Sequence, residues 1–194
     1  MKKLFVFAAI ALAALVSCNK DPEQKKDETT TGDITKVCLN EVCGVVGYKG
    51  VELYNAGDKE CSLEGVTLFK NGEELACWTG TAEDKIAAKG FFVIKGKKET
   101  TEIDGVANAT STASFSPTKS LLLELKSSDG NVLSTFDRGW KANGNAEVTL
   151  AVTVEYSYSL TTDGGNTWKL KDITIGSSNN NAADKGEIPT AVAE

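Results

Sequence analysis

The residue with the clearest chemistry is Cys18. It closes an uncharged apolar run, residues 4–16, that follows Lys2 and Lys3, and Leu15, Val16 and Ser17 stand directly before it. A positive start, a short apolar core and a small residue ahead of a cysteine mark an export signal that is cut before that cysteine, whose thiol then becomes the site of acylation. The run of 13 residues falls short of the roughly 20 that span a bilayer, and polar chain follows at once, so cleavage is expected rather than retention as a span. Acyl chains contribute about 0.8 kcal/mol per buried methylene, and more than one chain makes attachment stable.

Two carboxylates invite a catalytic reading. Glu41 and Glu52 fall in apolar runs that would form neighbouring antiparallel strands, and paired carboxyls flanking a cleft are the machinery of glycoside hydrolysis. No nucleophile or base accompanies them, so no catalytic residue is assigned and no enzyme is expected. The sequence has no histidine, which removes the commonest general base, the imidazole ligand of zinc and every histidine-triad hydrolase. Asp163-Gly164-Gly165-Asn166 offers oxygens to calcium but lacks the spacing and closing glutamate of a helix-loop-helix site, so a β-turn is the better reading. No metal is expected, and no cofactor beyond the lipid on Cys18.

Cys38, Cys43, Cys61 and Cys77 sit in an exported chain, where disulfides persist. Cys38 and Cys43, on the order of 17 Å apart in one extended strand, cannot bridge each other. If the first two strands are antiparallel and a hairpin follows at Asn71-Gly72, then Cys38, Cys61 and Cys77 gather at one end. At most one bridge is expected, within those three, with Cys43 a buried thiol. Four thiolates on zinc would call for a Cys-x-x-Cys pair, which the sequence lacks. Trp78 ends a predicted strand and reads as a packing residue. Trp140, isolated in the polar loop Arg138-Gly139-Trp140-Lys141, is the candidate contact residue.

These residues need elements to position them. Cleavage before Cys18 leaves 177 of the 194 residues, enough for one domain with a real core. That chain carries 19 basic and 27 acidic residues, a net charge of about −8, so nucleic acid, whose affinity comes from neutralised phosphates, is not an expected partner. Residues 19–33 have no large apolar side chain and read as a flexible tether with a reach on the order of 20 Å. From Ile34 the pattern is β, with short apolar runs separated by turn residues at 36–43, 50–55, 66–70, 73–78, 91–95, 120–126, 132–136, 148–160 and 168–173. Nine strands and almost no helix describe a sandwich. Asn71-Gly72 suits a type I′ turn that pairs Lys70 with Glu73 and Val66 with Cys77, and Ser128-Asp129-Gly130-Asn131 closes a second hairpin. Residues 97–114 and 137–146 read as polar loops, and 182–194 as a disordered tail.

Five stretches resemble, in order and spacing, the lamin tail domain, an immunoglobulin-like fold shared by nuclear lamins and many secreted bacterial proteins. They are Val37-Cys38-Leu39-Asn40-Glu41-Val42, Val51-Glu52-Leu53-Tyr54-Asn55, the turn at 62–68, the glycine turn at 86–94, and a close of Asp163-Gly164, Trp168 and Gly176-Ser177-Ser178-Asn179. Lys89 stands where the family often has proline before Gly90, and the 137–146 loop is longer than usual. The resemblance covers residues 34–181 and implies an immunoglobulin-like β-sandwich with Trp168 flanking the core. It marks Asn40, Glu41, Glu52 and Asn55 as family-wide positions, where polar side chains at strand ends satisfy backbone groups of adjoining loops. Lys20, Asp21 and Glu23 are similar to the surface-export signals of lipoproteins in the Bacteroidetes group; a solvated linker with chance acids is the other reading.

The expected layout is a lipoprotein signal peptide at 1–17, a lipidated cysteine and tether at 18–33, a lamin-tail-like sandwich at 34–181 and the tail at 182–194. Such a chain belongs on the bacterial outer membrane, lipid-anchored and facing outward. Its expected role is a non-catalytic binding module for a protein or glycan; the alternative is a structural envelope protein that self-associates edge to edge.

Overall fold

The computed structural model describes residues 31–45, 48–152 and 154–193, so the export signal expected at 1–17 and Cys18 lie outside the described residues. Strands follow one another as β1 Val37–Cys43, β2 Gly50–Asn55, β3 Cys61–Ser62, β4 Thr67–Lys70, β5 Trp78–Thr79, β6 Lys85–Ile86, β7 Phe91–Lys95, β8 Ala107–Thr110, β9 Leu121–Lys126, β10 Val132–Arg138, β11 Ser157–Leu160, β12 Trp168–Lys171 and β13 Asp184–Gly186. Helical structure among the described residues amounts to three short 3-10 turns. One sheet has the order β13-β12-β11-β1-β2-β7-β8, a second β10-β9-β4-β5, and β3 pairs with β6.

The two larger sheets close on one core, making the chain an all-β sandwich. Side chains alternate along a strand, and here Val37, Leu39 and Val42 of β1, Val51 and Leu53 of β2, and Phe92 and Ile94 of β7 point inward to meet Leu68, Leu123, Leu125 and Phe136 of the second sheet. Aromatic pairs join the layers. Phe136 of β10 lies 5.8 Å from Tyr158 of β11 and 4.7 Å from Trp168 of β12, and Trp78 of β5 lies 5.7 Å from Phe92. Trp78 and Trp168 thus pack, as the sequence suggests.

Several local expectations are corrected. Asn71 and Gly72 do take positive φ, 54° and 71°, and the Glu73 amide donates to the Lys70 carbonyl, so the expected turn is present. The ladder beyond it pairs Leu68 with Trp78 and Thr67 with Thr79, because residues 74–76 bulge out of the hairpin and leave Leu75 81% exposed. The polar loop at 97–114 contains β8, which runs parallel to β7. The long strand expected at 148–160 reduces to β11, since Thr149 and Leu150 are held by single bridges to Lys119 and Val192. The tail expected to be disordered at 182–194 supplies β13, and the Ala151 and Ala193 amides tie its last part to the domain. Lys89, in the place of a proline, sits at φ 55° with its amide bonded to the Gly57 carbonyl. A proline ring can do neither.

Candidate functional site

Four of the polar residues singled out in the sequence, Asn40, Glu41, Glu52 and Asp163, converge on the outer face of the seven-stranded sheet, turned away from the shared core. What places them there is a bulge. β1 pairs Leu39 with Leu53 and then Glu41 with Glu52, leaving Asn40 as an extra residue. Since Leu39 faces the core, an unbroken strand would aim Glu41 inward too; the bulge shifts the alternation by one, turning Glu41 outward and Val42 back into the core. Glu41 and Glu52 thereby stand side by side, both fully buried.

They are buried because residues 172–181, between β12 and β13, fold back across this face. The Thr174 amide donates to Glu41 Oε1 at 3.1 Å, and the Thr174 hydroxyl lies 2.7 Å from Glu41 Oε2. The Gly176 amide donates to Glu52 Oε2 at 2.5 Å, and Asn40 Nδ2 donates to Glu52 Oε1 at 2.8 Å. Asn179 Nδ2 donates to the Asn40 carbonyl at 2.9 Å. Lys171, buried beneath the segment, gives its ammonium to the carbonyls of Thr161 and Asn179. Beside this network Cys43, Tyr48 and Val93 form a small apolar cluster, covered by Ile175 of the segment and by Ile103 and Val106.

Burial disfavours charge. It raises both carboxyls above the ordinary range, and with the neighbouring Glu41 it pushes Glu52 up to about 9. Every carboxyl oxygen of the pair is engaged by the chain itself, so the arrangement clasps a segment to a sheet. The same use falls to Asn55, whose Nδ2 donates to the carbonyls of Lys59, Ile86 and Ala87.

Asp163 belongs to this clasp. Its Oδ1 accepts from Asn40 Nδ2 at 3.1 Å and from the Asn179 amide at 2.9 Å, and Oδ2 accepts from the Ser178 hydroxyl. Residues 162–165 form a β-turn closed by the Gly165 amide on the Thr162 carbonyl. The carboxylate once offered to calcium is therefore spent on internal donors. Asn40→Ala removes donors from both Glu52 and Asp163 and leaves the Gly164 amide without its acceptor. The expected cost is about 2 kcal/mol, read as a lower urea midpoint at unchanged slope. Asn40→Asp should cost more, because it sets a third carboxyl between two others.

The four cysteines among the described residues are free thiols, with Cys43, Cys61 and Cys77 buried. The expectation of at most one bridge among Cys38, Cys61 and Cys77 thus meets none in this structure. Cys61 and Cys77 point into the core while Cys38 projects to the outer face, its Sγ 3.9 Å from the Tyr54 carbonyl. The bulge in the β4–β5 hairpin also places Cys77 against Leu68 rather than Val66, nearer the turn and away from Cys61. Burial raises Cys38 and Cys77 to about 11 and Cys43 to about 12, which keeps them protonated and poorly nucleophilic at neutral pH. Trp140 is half-buried, at the start of the 3-10 turn Lys141–Asn143, with its amide bonded to Asp137.

Sequence reasoning paired Glu41 with Glu52 but missed Thr174, Lys171 and the reach of Asp163. No periodic signal marks residues 172–181, although Asn179 at the end of a Gly-x-x-Asn run was a hint. Compared with family models and with curated proteins, the chain matches none.

Proposed function

We propose that this chain is a lipid-anchored, non-catalytic binding module of lamin-tail type, held on the outer membrane through Cys18 and facing outward. One observation carries the reading: the chain enters the sandwich at one end, and of the four exposed large apolar side chains among the described residues three, Leu75, Ile173 and Val192, lie at the other, with Val132 at the start of β10 the exception. The Gly32 amide donates to the Glu60 carbonyl at 2.7 Å and the Ala56 amide to the Lys36 carbonyl at 2.9 Å, fastening the end of the tether where Val37 pairs with Asn55. At the opposite end, where Cys43 pairs with Gly50, segments near 96–99, 111–120 and 146–150 are stitched together by backbone bonds. Leu75, 81% exposed, and Ile173, 41% exposed, lie at this end with the half-buried Trp140. An anchored domain presents that end to the surroundings, and exposed apolar residues beside polar ones are the ordinary material of a contact surface.

The strand edges favour this reading over edge-to-edge assembly. β5 has two residues, β13 three and β8 four, while β10 carries a register shift and an inward-pointing Arg138. Short, bulged and internally charged edges are the devices that discourage strand addition.

The full chain in detergent, used as bait on envelope extracts, should enrich a component that Leu75→Ser or Trp140→Leu no longer retains. Leu75→Ser should leave stability within about 0.5 kcal/mol of wild type. Sedimentation that rises with concentration in the absence of any extract would instead support the self-associating structural protein.

A further inference from the structure

The Thr174 hydroxyl lies 2.7 Å from Glu41 Oε2 and 2.6 Å from Asn179 Oδ1. A hydroxyl has one proton to give, whereas an ionised carboxylate and an amide oxygen only accept. Asn179 cannot turn round to supply the missing donor, because its Nδ2 already donates to the Asn40 carbonyl. Reversing the amide would set oxygen against oxygen. Thr174 therefore gives its proton to Asn179, and the contact with Glu41 closes when the carboxyl is the donor. Glu52 shows the opposite pattern, its two oxygens accepting from Asn40 Nδ2 and from the Gly176 amide, so of two neighbouring carboxyls that burial raises together the donor geometry assigns the retained proton to Glu41. The orientation of Asn40 is fixed in turn by the Gly164 amide on its Oδ1.

We propose that Glu41 is held as a neutral carboxylic acid at neutral pH, and that its proton pins residues 172–181 to the outer face as a latch over Cys43, Tyr48 and Val93. Ionising Glu41 turns the Thr174 contact into a competition of two acceptors for one proton and places two buried carboxylates side by side. The compensating charges nearby are already committed. Lys171 of β12 serves the carbonyls of Thr161 and Asn179, and Lys95 of β7 pairs with Glu102. Asp172 of the segment pairs with Lys185. The remaining groups that titrate around the clasp are Cys38 and Cys43 of β1, Glu52 and Tyr54 of β2, Asp163 of the turn after β11, and Tyr48 and Glu99 of the loops beside the apolar cluster. None of them offers Glu41 a cation.

The direction of pH dependence follows. A carboxyl raised in the closed state binds its proton more tightly there than in the open state, so closure is strongest below the ordinary carboxyl range and weakens as pH rises toward the closed-state value. Across that window the opening equilibrium grows about tenfold per pH unit for one proton released. Opening withdraws Ile175 from the cluster and exposes Cys43.

Two measurements on the full chain in detergent test this. Infrared spectra at neutral pH should contain the C=O stretch of a protonated buried carboxyl, diminished in Glu41→Gln and retained in Glu52→Gln. Alkylation of Cys43, mapped by peptide mass as pH rises from about 6, should accelerate in wild type relative to Glu41→Gln, by about tenfold per unit below the closed-state value of Glu41 and levelling off above it, because the glutamine amide donates to Thr174 at any pH. A wild-type spectrum without the band, or a band lost in Glu52→Gln and kept in Glu41→Gln, overturns the assignment. A constant ratio of alkylation rates overturns the latch. Should Glu41→Gln not fold, the wild-type band must fade over the pH range in which Cys43 opens, and a band that persists through opening has the same consequence.

Discussion

Changing Cys18 to alanine is expected to move the protein from the membrane fraction to the soluble fraction while leaving its thermal unfolding unchanged. The size of the effect follows from the anchor chemistry proposed for the chain. One acyl chain gives only marginal, reversible membrane binding, with an association constant on the order of 10⁴ M⁻¹, and two or more chains make it durable. Without the thiol there is nothing to acylate. What remains carries a net charge of about −8, which an anionic surface repels. No helix among the described residues is long and apolar enough to cross a membrane. Position 18 also lies well before Gly32, which a backbone bond ties to the sandwich, so the fold should not register the change. Fractionation under high salt together with circular dichroism checks both halves. Retention of Cys18→Ala in membranes would show that another segment holds the protein there.

Much of the sandwich was legible because its central strands obey a simple rule. β1, β2, β7 and β9 are short, rich in apolar residues and bounded by turn residues, and their limits fall within one residue of those expected. The places that resisted reading are those where the chain does something a period of two cannot encode. The bulge at Asn40 reverses which residues face the core, yet nothing local announces it, since Asn-Glu in a strand reads equally well without one. β8 and β13 hold few apolar side chains, so their order comes from backbone pairing with β7 and β12 and from the covers over them. Residues 148–152 carry β-branched side chains at strand-like spacing, but they lie between β10 of one sheet and β11 of the other and form single bridges at Thr149 and Leu150, where tertiary context overrides propensity.

The clasp was half legible for a related reason. Register on paper opposes Glu41 to Glu52, because both belong to strands with clear patterns. Thr174 and Asn179 are more than 120 residues away in sequence, in a segment with no period, and only the fold brings them over the pair. A reader of the sequence sees two carboxylates and thinks of catalysis. The burial and saturation of those carboxylates are tertiary facts.

Arg138→Ala should cost about 3–5 kcal/mol, the largest loss of stability expected from a single polar substitution in this domain. Arg138 is 1% exposed and has no carboxylate among its hydrogen-bond partners. Its Nε and one terminal nitrogen donate to the Lys119 carbonyl, and the terminal nitrogens reach the carbonyls of Ser116 and Pro117. The guanidinium also sits 4.8 Å from the centre of the Tyr158 ring in the other sheet. One planar group thus holds the turn before β9, the end of β10 and the core face of β11. Burial lowers its proton affinity, but an arginine stays charged in proteins, so the cost of burying that charge is offset by carbonyl dipoles and the ring face. Removing the side chain leaves up to three carbonyls short of donors and opens a cavity against Tyr158 and Phe136. Arg138→Lys separates charge from shape: it keeps the cation but cannot span three carbonyls and stack at once, so it should recover less than half of the loss. Urea unfolding of the two variants at neutral pH decides the matter. A lysine variant as stable as wild type would mean that the charge alone, rather than the planar fork, holds the turn.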